Sequence, residues 1–152
     1  MKREITVQDI ASTFLTFESM SHKKLQKLCY YAQAWHLALY KRALFADRFQ
    51  AWIHGPVCRD LYDEYKIHGW NDIPKIKNRP KNIGSDTYEF IDMVFNTYGE
   101  FSGDELEALT HAEEPWKEQR YDLEEWEPSN RIISEKTMQD YYWKVYEQSQ
   151  ND

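Results

Sequence analysis

From Ser21 to Tyr40 the chain reads SHKKLQKLCYYAQAWHLALY, without glycine or proline, and its apolar positions hold one helical period throughout. Leu25, Leu28, Cys29, Ala32, Trp35, His36 and Leu39 follow the i, i+3, i+4, i+7 spacing. At roughly 100° per residue they form a stripe about 120° wide. Lys23, Lys24, Gln26, Lys27 and Gln33 fall outside it. Ser21 suits the N-cap, with Met20 and Leu25 as a hydrophobic staple. Twenty helical residues span about 30 Å, the width of a small domain. This is the expected central helix.

The remaining chain predicts shorter helices around it. Thr6 and Asp9 form a capping-box pair before Val7, Ile10, Ala11 and Phe14, a first helix fading near Phe17. The segment RALFADRFQAWIHGPV loses the helical period, and its aromatic density suits extended chain, a short β-hairpin between the second and third helices. Proline fits a first helical turn, so Gly55-Pro56 predicts a third helix from about Pro56 to Lys66. Trp70 to Gly84 reads as loop. Ser85 is the expected cap of a helix carrying Tyr88, Ile91, Val94, Phe95 and Tyr98, with Gly99 as its stop. Ser102 and Glu105 make a second capping box, for a helix stopping before Pro115. Ser134 caps the last helix, which buries Met138, Tyr141, Tyr142 and Val145. The expectation is a mainly α, compact bundle over residues 1–152, one domain around a long central helix.

Composition narrows the function classes. Aromatic residues make up 16% of the chain, including six Trp and eleven Tyr, and no run approaches the roughly 20 apolar residues that cross a bilayer. The first residues, MKREITVQD, lack the apolar stretch of a secretion signal, which predicts a cytoplasmic protein. The net charge of −7 is divided unevenly: residues 1–83 carry +6 and residues 84–152 carry −13. From Asp104 to Glu127 ten acidic residues face only Lys117 and Arg120. A surface of that kind repels phosphate backbones and attracts basic proteins. Nucleic acid is therefore a poor partner, and the alternating Lys75, Lys77, Arg79 and Lys81 read as a solvated loop.

Candidate chemistry is sparse. Cys29 with His36 and His54 with Cys58 offer four potential zinc ligands, seven and four residues apart, but neither pair has the usual form of a structural site. A Cys29 nucleophile would need an exposed, electropositive position, and its place in the apolar stripe predicts burial. His111 beside Glu113 and Glu114 has the makings of an acid–base pair, though a histidine near a helix end more often caps or faces solvent. No glycine-rich phosphate loop or nucleophile elbow is present. No metal or cofactor is expected, and a small cysteine/histidine hydrolase or metal-binding protein is the alternative of another class.

Several segments, in order, carry a family resemblance: KLQKLCYYAQAWHLALY (24–40), FQAWIHGPV (49–57), LYDEY (61–65), SGDELEALTHAEEPWK (102–117) and the start of the last helix at 132–134. Together they resemble the Panacea family, also described as SocA-like or phage-associated GepA-like proteins. The resemblance implies a helical domain and an antitoxin role in a type II-like toxin–antitoxin module. Such a protein would neutralise a cognate toxin, encoded by an adjacent gene, by direct binding; one branch instead acts as an adaptor delivering its toxin to a protease. The motif residues here are Lys24, Leu25, Lys27, Leu28, Tyr31, Trp35, His54, Gly55, Pro56, Val57, Thr110 and His111. Gly55 is expected at positive φ, with His54 bonded to a neighbouring helix and Thr110, His111 and Trp116 packed on the turn. Specific interfaces favour aromatic anchors within polar rims. That composition makes Trp116, Tyr121 and Trp126 the expected anchors, with Glu113, Glu114, Glu124 and Glu125 steering a basic partner.

Overall fold

In the computed structural model, which describes residues 4–151, α1 (Val7–Phe17) starts from the expected capping box: the Thr6 hydroxyl accepts from the Asp9 amide and the Asp9 carboxylate accepts from the Thr6 amide. The central helix α2 (His22–Tyr40) is capped by Ser21 and ends at Lys41, whose φ of 60° turns the chain out of the helix. A two-stranded antiparallel hairpin follows, β1 (Gln50–Trp52) paired with β2 (Gly55–Val57). Then come α3 (Arg59–Tyr65), a 3-10 turn (Lys66–His68), α4 (Ser85–Tyr98), α5 (Gly103–His111), α6 (Glu114–Glu118) and α7 (Glu135–Asn151). The architecture is mainly helical with one short hairpin, as the pattern predicts.

Helices α1, α4, α5 and α7 and the hairpin all pack on α2, so that helix is enclosed. Enclosure corrects the one-stripe picture. Gln26, Lys27 and Gln33, outside the apolar stripe, are as buried as Leu25 and Leu28. Their polar ends bond backbone groups of the segments packed around the helix. Gln33 donates to the Phe45 carbonyl (2.7 Å) and accepts from the Leu44 amide (2.7 Å). Gln26 does the same for Cys58, accepting from its amide at 2.9 Å and donating to its carbonyl at 3.2 Å. Buried amides of this kind are stable only when their partners are present. Each glutamine thereby latches a loop to the central helix.

Three boundaries differ from expectation. Pro56 lies in β2, opposite Ala51, and α3 begins only at Arg59. A proline tolerates a strand edge as readily as a first helical turn. Ser85 is the first residue of α4, and Gly84 holds the cap position. The acidic stretch after α5 contains α6, whose first turn carries Pro115; a five-residue helix is too short to display a period. The 70–84 segment is irregular as expected, but it is strapped down: Ile73 bridges Met20, and the Ile76 amide donates to the Leu15 carbonyl at 2.9 Å. No described helix is long and apolar enough to cross a membrane.

Candidate partner-binding site

The motif residues converge on the hairpin. Trp52 and Gly55 pair across its turn, and Gly55 has a φ of +111°. Lys27 lies directly beneath: a Cβ added to Gly55 would come within 2.5 Å of Lys27 Cε and 3.1 Å of Thr110 Oγ1. The Lys27 ammonium donates to the Pro56 carbonyl at 3.2 Å, and burial pulls its pKa down to about 7. His54, at the exposed tip, pairs through Nδ1 with Glu107 of α5 at 3.1 Å, and Lys23 reaches the same carboxylate at 2.7 Å. His111 stacks on Trp116 with ring centroids 3.9 Å apart, and the Trp116 indole donates to the Trp52 carbonyl at 2.8 Å. Positive φ at Gly55, and Thr110 and Trp116 on the turn, match expectation, and His54 meets a neighbouring helix through its contact with Glu107.

The other motif residues make contacts within the fold. Leu25 and Leu28 lie in the core, Val57 is buried behind the hairpin, and Trp35 donates to the Tyr98 hydroxyl at 2.7 Å. Tyr31 stacks on Tyr98 at 4.0 Å. Lys24 donates to the carbonyl of Gly99 at 2.6 Å, a cation at the C-terminus of α4 where the helix dipole favours one.

The acidic segment divides into inward and outward residues. Glu113 turns in. Its Oε1 accepts from both the Tyr31 and Tyr142 hydroxyls at 2.7 Å, and Tyr142 also meets Tyr30 at 3.1 Å. Burial raises the Glu113 pKa, while the two tyrosine bonds oppose the shift. Trp116 is likewise spent on His111 and the hairpin. Glu114, Tyr121, Glu124, Glu125 and Trp126 face solvent, with Tyr121 86% and Trp126 73% exposed. Of the seven anchor and steering positions expected from sequence, five are therefore exposed and two are turned into the fold.

What fixes that surface is a residue the pattern did not single out. Arg120 is only 6% exposed; its guanidinium donates to the carbonyls of Ala51, Glu124 and Glu127. It also lies over the Trp116 ring at 5.3 Å. One buried cation thus holds both ends of the 120–127 turn to β1. Arg131 adds a bidentate pair with Asp122. A lone arginine among ten carboxylates was the available signal.

The alternatives based on thiols and histidines meet unfavourable surroundings. Cys29 and Cys58 are both buried; burial pushes the Cys29 thiol well up and the Cys58 thiol to about 11, away from the reactive thiolate. His36 donates from Nδ1 to the Arg42 carbonyl at 2.7 Å. Among the described residues no three His, Cys, Asp or Glu side chains gather to hold a metal ion. His111 is held against Trp116, and its pKa is lowered mainly by burial.

Comparison with known proteins adds one match. The family model described as "Antitoxin SocA-like, Panacea domain" matches residues 25–117, more than half of the chain, from the second turn of α2 to α6. Searches among curated proteins and among solved structures each returned no match.

Proposed function

Because the chain belongs to the SocA-like Panacea antitoxin family, we propose that it is the antitoxin of a type II-like pair, acting in the cytoplasm, and that it neutralises the toxin encoded by an adjacent gene by lying against it. The observation that carries this reading is the 120–127 turn. Two exposed rings, Tyr121 and Trp126, stand on backbone pinned by a buried arginine. Preorganised aromatic anchors lose little entropy on binding. Glu114, Glu124 and Glu125, exposed in the same acidic stretch, would steer a basic partner, raising its association rate more than its final affinity.

The test is co-expression with the product of the adjacent gene. The expected result is growth of cells that the toxin alone would kill, a complex that co-elutes, and an unchanged toxin level on immunoblots. Tyr121→Ala with Trp126→Ala should raise Kd by tenfold or more, as loss of central anchors does. Glu114→Lys, Glu124→Lys and Glu125→Lys together should slow association and flatten its salt dependence. Absence of both complex and rescue overturns the antitoxin reading. Rescue accompanied by falling toxin level would assign the protein to proteolytic delivery instead. Full neutralisation by all these folded variants would move the contact away from this turn.

A further inference from the structure

A cleft of about 500 Å³ opens beside the hairpin, between the start of α2, β2 and the end of α3. Its walls are largely apolar, with Trp52 against Tyr62 (centroids 4.9 Å apart) and Val57 behind them. Trp70, part of the lining, is 99% exposed. The fold gives Trp70 no ring contact and no side-chain hydrogen bond among the described residues. A tryptophan held in water beside an apolar cleft is costly surface for an isolated chain and a frequent anchor in complexes.

Every charged residue lining the cleft is a cation: Lys23, Lys27 and Lys66. Lys66 shares the single carboxylate of Asp63 with Arg59, each at 3.4 Å. Lys27, beneath the floor, has the Pro56 carbonyl as its hydrogen-bond acceptor and no carboxylate in ion-pair reach among the described residues. Lys23 has close acidic partners, Asp104 at 2.8 Å and Glu107 at 2.7 Å, both outside the lining. The positive field reaches His22 as well, which burial, Lys27 and His68 together hold down at about 4. The first turn of α2, also part of the wall, carries no acidic residue to offset its helix dipole.

We propose that this cleft docks an acidic peptide segment of a partner protein, one that presents a bulky apolar side chain beside its carboxylates. The apolar side chain lies along Trp52, Tyr62 and Trp70, and the carboxylates meet Lys66 and the N-terminal end of α2. This surface is opposite in sign to the 120–127 turn, so a segment that fits one is repelled by the other. It goes beyond the antitoxin reading and does not rest on it. A nucleic-acid strand fits less well: three lysines in one cleft make a cationic stretch too short to track a phosphate backbone, and the remaining lining is largely apolar.

The experiment is fluorescence polarisation on the full chain with three labelled probes. They are the hexapeptide Glu-Glu-Leu-Phe-Glu-Asp, its amide counterpart with Gln and Asn in place of the acids, and a twelve-nucleotide oligothymidine. The acidic peptide should bind, weaken with added salt, and lose tenfold or more in affinity to Lys66→Glu with Trp70→Ala. Both replaced side chains are exposed, so circular dichroism and the melting temperature should be unchanged. Glu124→Lys, outside the cleft lining, should leave binding unaltered. The proposal is overturned if the acidic peptide fails to bind at millimolar concentration, or if its amide counterpart binds equally well. It also fails if the double variant binds as the parent does, or if the oligonucleotide is the probe that these two substitutions abolish.

Discussion

Replacing Gly55 by alanine asks whether the hairpin is seated on Lys27. Gly55 sits at φ +111°, where a residue with a Cβ costs about 1–3 kcal/mol. The new methyl would also stand 2.5 Å from Lys27 Cε. A lysine tip normally swings aside at little cost, but this one is 1% exposed and tied to the hairpin backbone, so it moves only by leaving its acceptor. Displacing it breaks the bond from its ammonium to the Pro56 carbonyl, worth about 1.5–3 kcal/mol for a charged donor. The two effects sum to about 2.5–6 kcal/mol, a large share of the roughly 5–15 kcal/mol that holds a typical domain folded. Urea unfolding followed by tryptophan fluorescence measures it. The design is a cycle of Gly55→Ala, Lys27→Ala and the double variant. In the Lys27→Ala background the clash is gone, so Gly55→Ala should cost only the backbone part, leaving a coupling of about 2 kcal/mol. A Gly55→Ala cost below 1 kcal/mol, or equal costs in the two backgrounds, refutes the reasoning.

Lys27 also predicts a pH dependence. Its folded pKa of about 7 lies below the usual 10.5, so above pH 7 the unfolded chain binds more protons than the folded one. Stability therefore rises with pH from about 7 to 8.5, by at most ~1.4 kcal/mol per unit. Above that window Cys29 and Cys58, both raised by burial, pull the other way; His22, His36 and His111, all lowered, act below it. Lys27→Met should flatten the rise between pH 7 and 8.5, and urea midpoints that move identically in both proteins would contradict this. Glu113→Leu leaves the Tyr31 hydroxyl without its acceptor and should cost about 2 kcal/mol, whereas Glu113→Gln keeps an acceptor and should cost less than half as much; calorimetry that ranks them in reverse is the contrary result. Arg120→Met should release the 120–127 turn, seen as faster amide exchange and protease cleavage between residues 120 and 127, and unchanged protection there would mean the arginine is not the pin.

How much of this was legible depends on whether the controlling partner is near in sequence. Thr6 with Asp9 and Ser102 with Glu105 are three residues apart, and a capping box is readable from two letters and a gap. The length and caps of α2 follow from the same local rules. Its full enclosure does not. Periodicity sorts residues by side-chain type, and glutamine and lysine count as outward even when a helix is covered on every side. Gln33 and Gln26 are buried because Phe45 and Cys58, 12 and 32 residues on, bring backbone to them. Glu113 and Glu114 are chemically alike neighbours, one facing Tyr142 and the other water. The difference is set by where α6 begins, and that helix is too short to announce itself. Arg120 was hidden in the same way, as its three acceptors are carbonyls, which every residue has.

The placement of the motif residues has a consequence for recognition. Lys27, Gly55, Pro56, Val57, Thr110, Leu25, Leu28 and Tyr31 are buried, and His111 and Trp116 are stacked on each other. A side chain in such a position cannot read a partner directly; it can only fix where other residues stand. What it fixes is the hairpin, held from below by Lys27 and from the side by Trp116 and Arg120, which bond the carbonyls of Trp52 and Ala51. The hairpin in turn separates an acidic aromatic turn from a basic aromatic cleft, and the rings exposed there, Tyr121, Trp126 and Trp70, lie outside the motif. Substitutions at those rings alter no buried contact, so surface identity and frame stability are nearly independent in this architecture. Exchanging the 121–126 turn between members of the family, with Arg120 and the hairpin kept, should therefore transfer partner choice while leaving the melting temperature within a few degrees. A chimera that folds but retains its original partner would place recognition in the cleft or in the frame itself.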